Sequence, residues 1–130
     1  MRKRYRSLKT SSENDRIRLC HALESAQKAR RFADGHTRAS LGQDEGLQLI
    51  LARLLEILGE ATGAVSPEFR AHYPDLPWSS MRAMRNWLAH AYFDINLDTL
   101  WNVVENLIGP LIAQLEAILA AEIIDCSELE

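Results

Sequence analysis

An all-α fold is what this sequence predicts, and three observations carry the prediction. Apolar residues recur at helical spacing over 47–61 and again over 100–119. Capping residues, prolines and glycines fall where helices of ordinary length start and stop. No segment alternates apolar and polar residues as a half-buried strand does. With 130 residues, 47% hydrophobic and 25% charged, the chain fits one soluble domain with a real core. Its helices are apolar on more than one face, which in so short a chain favours self-association.

The first helix begins after Ser11 or Ser12, whose hydroxyl can cap free amides, and Glu13 and Asp15 suit the positive end of the helix dipole. It runs to about Ala33, with Lys28, Arg30 and Arg31 in its last turns and Gly35 available as a C-terminal cap. Residues 36–43 form a polar connector. A second helix spans 44–62, with Leu47, Ile50, Leu51, Leu54, Leu58 and Ala61 on its apolar side. Arg53, Glu56 and Glu60 align in one stripe along it. That stripe is either a solvated face or the source of a carboxylate, Glu56 or Glu60, that holds an arginine of a nearby cleft.

Ser66-Pro67-Glu68 is a cap followed by proline at the first helical position, giving a short turn of helix before the break at Tyr73-Pro74-Asp75-Leu76-Pro77. A third main helix follows from Trp78 or Ser79, capped by Ser79 or Ser80, to about Tyr92 or Phe93. Asn96 caps a fourth, 97–122, which carries Leu100, Trp101, Val104, Leu107, Ile108, Leu111, Leu115, Ile118 and Leu119. Pro110 removes one backbone hydrogen bond and crowds the carbonyl four residues earlier, so a bend is expected at Asn106. The helical domain therefore spans 13–122, between a basic arm at 1–12 that is expected to be disordered and an acidic tail at 123–130.

Charge is distributed unevenly. Residues 1–9 hold five cations and no acid, which leaves ten cations against eighteen acids elsewhere. That balance argues against a broad phosphate-tracking surface, so nucleic-acid chemistry needs a local basic cleft. The arm itself reads as a solvated tail or as an RNA clamp. Cys20 and Cys126 are too few and too far apart in sequence for a disulfide framework or a zinc site, which makes a reducing cytoplasm the expected location. No run of 18 uncharged apolar residues occurs, and none follows the basic start, so neither a membrane span nor a signal peptide is expected. No metal cluster or cofactor motif is visible.

Residues 81–94, MRAMRNWLAHAYFD, carry most of the chemistry. At about 100° per residue with Arg85 at the origin, Arg82, Asn86 and His90 fall within one arc of about 140°. Met81, Met84, Trp87, Leu88, Ala91 and Tyr92 fall together on the other side, as an apolar face. Only Ala83 and Ala89 interrupt the polar arc, and their small size lets a substrate or another chain come close. Arginine presents a planar fork of donors to phosphate oxygens, and histidine moves protons near neutral pH. The two suffice for metal-free RNA cleavage, in which the ribose 2′-hydroxyl attacks the adjacent phosphate while the guanidinium stabilises the added charge. On the residues alone, the same arc also fits a helical protein without catalysis, with Arg82 a surface cation, Asn86 a surface amide and Tyr92 a core aromatic.

The run RNWLAHAYFD resembles the R-x-x-x-x-H-x-Y signature of HepT-type HEPN proteins, and HYPDLPW resembles the Y-P-x-L-P-W lead-in of the same family. The similarity continues through FDINLDTLW and PLIAQLEAIL, so it covers roughly residues 13–121. Two linked motifs in the right order are far more specific than the short signature. The resemblance implies a four-to-five-helix up-and-down bundle forming a two-fold homodimer, with two copies of the motif lining a shared cleft. It implies Arg85 and His90 as the catalytic pair of a metal-independent RNA endonuclease, the toxin of a toxin–antitoxin system. Asn86 is then the polar residue beside the arginine, with Arg82 supporting RNA binding from the same arc. Tyr92 is the tyrosine that a partner nucleotidyltransferase, the antitoxin, can modify with AMP. The alternative is a HEPN dimer that does not cleave and serves as the binding partner or AMPylation target of that nucleotidyltransferase. The basic start and the acidic end IIDCSELE have no place on the family pattern.

Overall fold

The computed structural model describes residues 11–89 and 94–129, which are helical with no strand among them. Helix α1 (Ser11–Ala33) is followed by α2 (Arg38–Gly42), α3 (Glu45–Gly63), α4 (Pro67–His72), α5 (Trp78–Ala89) and α6 (Leu97–Asn102). A π-helical turn, Val103–Leu107, joins α6 to α7 (Ile108–Ala121), and a 3-10 turn at Cys126–Leu129 follows. The all-α bundle expected from the periodicity is the fold observed.

Helix α3 is the middle of the bundle. It packs on α1 along one side and on α5 along the other, while α1 also packs on α7. Ala22, Ala26 and Ala29 are fully buried on α1 and let the neighbouring helices come close. Leu51, Leu55 and Leu58 of α3 and Ile108, Leu111 and Leu115 of α7 fill the seams, each side chain contributing about 1.5–3 kcal/mol on burial. The buried face of α3 is rotated from the one expected. Leu55 is fully buried, whereas Ile50 is 39% exposed and Leu49 is 59% exposed. With partners on two sides, α3 buries Leu47, Leu51, Leu55, Leu58 and Thr62 and leaves Ile50 outside both seams.

Several local signals act as the sequence suggests. The side chains of Ser66 and Asn96 accept the amides of Phe69 and Thr99 at 3.3 and 3.0 Å, and Asp44, not singled out from the sequence as a cap, accepts that of Leu47 at 3.0 Å. Gly35, at φ +79°, takes the left-handed conformation that ends α1. Others differ. Ser11 and Ser12 are already helical. The supposed polar connector contains α2, because Thr37 and Ser40 form a reciprocal capping box and Leu41 is fully buried. Helix α5 starts at Trp78, where the Met81 amide donates to the Pro77 carbonyl at 3.1 Å, so Ser79 and Ser80 lie inside the first turn instead of capping it. The disturbance expected from Pro110 takes the form of the π turn, in which the Ile108 amide reaches back to Val103 and an extra residue absorbs the mismatch. The continuous helix Leu97–Ala121 is long and apolar enough to cross a membrane, yet Leu100, Val104, Ile112 and Leu119 on it are buried inside the protein.

Two long-range ties clamp the bundle. Asp15, 3% exposed on α1, accepts the Ser66 amide at 2.8 Å and the Ser66 hydroxyl at 2.6 Å, fixing the corner between α3 and α4. The second tie corrects the reading of the cysteines. Cys20 and Cys126 form a disulfide, their Cα atoms 5.5 Å apart although 106 residues separate them in sequence. Sequence distance misleads here because α7 lies against α1 and returns the end of the chain to the helix that carries Cys20. The cysteine count therefore gives no support to a reducing location.

Cross-linking a loop of about a hundred residues contributes up to roughly 4.7 kcal/mol by restricting the unfolded chain. Cys20→Ser, or reduction with dithiothreitol, is expected to lower Tm by roughly 10 °C. Two titratable thiols in the unreduced, unfolded protein, with a Tm insensitive to reductant, would show that the bond does not form.

Candidate active site

The site begins with the segment that aims α5. Two prolines, Pro74 and Pro77, restrict the chain between α4 and α5, and three contacts tie it down. The Tyr73 hydroxyl donates to Glu122, a bond that holds the phenol above the usual tyrosine range. The Trp78 indole donates to the Tyr73 carbonyl at 2.9 Å, and the Gln114 amide of α7 donates to the Asp75 carbonyl at 3.1 Å. Leu76 is buried beneath them. The break is thus a fastened corner that sets where α5 starts and which way it turns.

Along α5 the expected two faces appear. Met81 and Met84 are buried and Trp87 and Leu88 half-buried, while Arg82, Arg85 and Asn86 are exposed. These three polar residues wall an open cleft of about 370 Å³ whose other side is Gly59, Glu60, Gly63 and Ala64. The Arg85 guanidinium donates to the Asn86 side-chain oxygen at 3.4 Å, a long and weak contact that leaves most of its donors for a ligand. Of the two stripe carboxylates, Glu56 accepts from Arg53 at 2.8 Å on the surface of α3, and Glu60 lines the cleft. Ala83 faces away, into an apolar hollow of about 260 Å³ with Met84, Trp87 and Val103. His90 and Tyr92 lie outside the described residues. Two guanidiniums above a floor of small residues can bind an anion such as phosphate. Among the described residues no group of three or more His, Cys, Asp or Glu could hold a metal ion.

Sequence reasoning missed Gly59. A Cβ at this position would stand 2.5 Å from Arg85 Cβ, 3.0 Å from the Met81 carbonyl and 3.2 Å from Arg85 Cα. Helices α3 and α5 therefore cross backbone to backbone at the residue that carries the arginine. The available signal was a glycine in the middle of an otherwise strong helix, where it costs about 1 kcal/mol relative to alanine unless packing requires it.

The family described as Ribonuclease HepT-like matches residues 22–118, a span that contains the lead-in, the cleft and both arginines. A Methanocaldococcus jannaschii protein named as a putative RNase is 32% identical over 101 residues, which cover 78% of this chain and 84% of its own. A second, likewise named, from the same organism is 30% identical over 100 residues, covering 77% and 92%. A Thermococcus cleftensis protein named as a probable ribonuclease HepT is 37% identical over 73 residues, covering 56% and 66%. No solved structure matches the chain significantly.

The Gly59 contact generates a prediction that runs against helix propensity. Gly59→Ala should destabilise the protein by about 1–3 kcal/mol, because the clash is with backbone and Cβ atoms that cannot rotate away. A thermal melt gives the answer, and an unchanged or raised Tm would mean that the crossing is looser than described.

Proposed function

The chain belongs to the HepT-like ribonuclease family, and from that premise we propose that it is a metal-independent RNA endonuclease acting through Arg85 and His90. The observation that carries this reading is the placement of Arg82 and Arg85 on one wall of an open cleft in an otherwise acidic protein. In such a protein, two cations converging on a floor of glycine and alanine form a local phosphate site. The Arg85 guanidinium stabilises the charge that develops on the phosphate oxygens, and Arg82 holds a neighbouring phosphate. His90, five residues on in the signature, moves the proton of the ribose 2′-hydroxyl, so that RNA is cut and DNA, which lacks that nucleophile, is not.

The same proposal extends to partners. The apolar hollow beside α5 and the exposed Leu49 and Ile50 of α3 support a homodimer in which a second copy covers apolar surface. As the toxin of a toxin–antitoxin pair in the cytoplasm, the protein is held inactive by a nucleotidyltransferase that blocks the cleft or adds AMP to Tyr92. An adenylate beside Arg85 competes with RNA phosphate for the guanidinium.

Arg85→Ala and His90→Ala should each lower RNA cleavage by roughly a hundred- to ten-thousand-fold and relieve growth arrest. Arg85→Ala keeps the Cβ that packs at Gly59, so its Tm should stay close to that of the parent. Parental cleavage should survive EDTA, leave cyclic phosphate ends and spare a DNA strand of the same sequence. Cleavage at the parental rate by both variants would remove the mechanism and favour a HEPN dimer that binds its nucleotidyltransferase without cutting. Light scattering should give about twice the 14.7 kDa chain mass, and a monodisperse monomer would contradict the shared cleft.

A further inference from the structure

Glu60 stands out in the cleft because a carboxylate there weakens the binding of phosphate, the group that the arginines opposite attract. Among the described residues no side-chain hydrogen bond or ion pair holds it, and Arg53 attracts it only at longer range. Arg53, the cation of its own stripe, is engaged by Glu56 at 2.8 Å. Among the described residues no ion pair joins Glu60 to Arg82 or Arg85 across the cleft that all three line. A carboxylate and two guanidiniums thus line one open cleft without being paired to each other, and a ligand can enter between them. Beside Glu60 the floor is Gly59, Gly63 and Ala64, and even a Cβ added at Gly63 would meet nothing within 4 Å. At Gly63 and Ala64 this floor carries no side chain larger than a methyl group.

We propose that Glu60 reads a guanine base of the RNA while Arg82 and Arg85 hold the attached phosphate, which makes Glu60 the specificity-determining residue of the cleft. This rests on the reading of the cleft as an RNA site. A carboxylate offers two parallel acceptors and no donor. The Watson–Crick edge of guanine presents two adjacent donors, the ring N1–H and the exocyclic amine, which match those acceptors as a bidentate pair. Adenine and cytosine offer one amine next to a ring-nitrogen acceptor, which the carboxylate repels. Uracil offers one N–H between two carbonyls. Unpaired bases in single-stranded RNA expose this edge, so a loop or an end is the substrate the cleft admits.

The test is a titration of the parent and of Glu60→Gln with the four nucleoside 3′-monophosphates and with inorganic phosphate, followed by NMR shifts. The parent should bind guanosine 3′-monophosphate roughly ten- to a hundredfold more tightly than the other three. Glu60→Gln should lose that preference while binding inorganic phosphate at least as well as the parent, since a negative charge has left the arginine cleft. Equal affinity of the parent for all four nucleotides, no binding of the guanosine nucleotide at millimolar concentration, or a preference that survives in Glu60→Gln would overturn the assignment. The titration needs no turnover, so the two readings fail separately. Selective binding by a parent that cuts no RNA would sink the ribonuclease and keep the guanine site. Cleavage with no bias for guanosine near the cut, together with flat nucleotide binding, would do the reverse.

Discussion

The candidate site depends on one contact, the crossing of α3 and α5 at Gly59. There the Cα of Arg85 and the Met81 carbonyl come so close that a single added methyl has no room. Glycine in mid-helix is a local defect that raises backbone entropy in the unfolded chain and exposes peptide to water. It persists here because the close approach lets Met81 and Met84 bury against α3. The functional consequence follows from the geometry. An arginine whose Cα is pressed onto the opposite helix has its guanidinium as the mobile part, and that side chain lines the same cleft as Gly63 and Ala64.

Among the described residues α3 is the one helix on which α5 packs extensively. The start of α5 must therefore be set from outside the crossing, and the corner from Tyr73 to Trp78 does this. The contacts of Tyr73 with Glu122 and of Asp75 with Gln114 reference that corner to α7, and α7 is referenced to α1. Asp15 holds the corner after α3 to the same helix, and the disulfide holds the end of the chain to it. Helix α1 carries none of the cleft residues, yet both helices that build the cleft take their positions from it, one directly and one through α7.

What was legible in the sequence divides along the range of the interactions. The helices, the caps at Ser66 and Asn96 and the polar arc of Arg82, Arg85 and Asn86 are decided within a few residues by hydrogen bonding and by the helical repeat. Spacing alone therefore recovered them. Gly59, the disulfide and the choice between Glu56 and Glu60 are decided by which helix lies beside which. Glu56 and Glu60 sit on one stripe and look alike to any periodic argument; what separates them is the hydrogen bond that Arg53 gives to Glu56 and the cleft beside α5 that Glu60 lines. Ile50 and Leu55 were exchanged for the same reason, because a helix held between two neighbours buries a face whose centre the sequence alone does not mark.

The proposed phosphate site also reconciles an acidic body with an anionic substrate. A general positive surface binds any nucleic acid with an affinity set by salt. A body with eighteen acids and ten cations beyond its first nine residues repels phosphate at long range and admits it where two guanidiniums outweigh the local carboxylate. Repulsion of this kind disfavours duplex, whose phosphates arrive as a rigid dense array. It penalises least a short unpaired segment that brings one or two phosphates and a free base edge. On the proposed reading of the cleft, the charge balance, the small-residue floor and Glu60 select in the same direction, towards single-stranded RNA entered at one nucleotide.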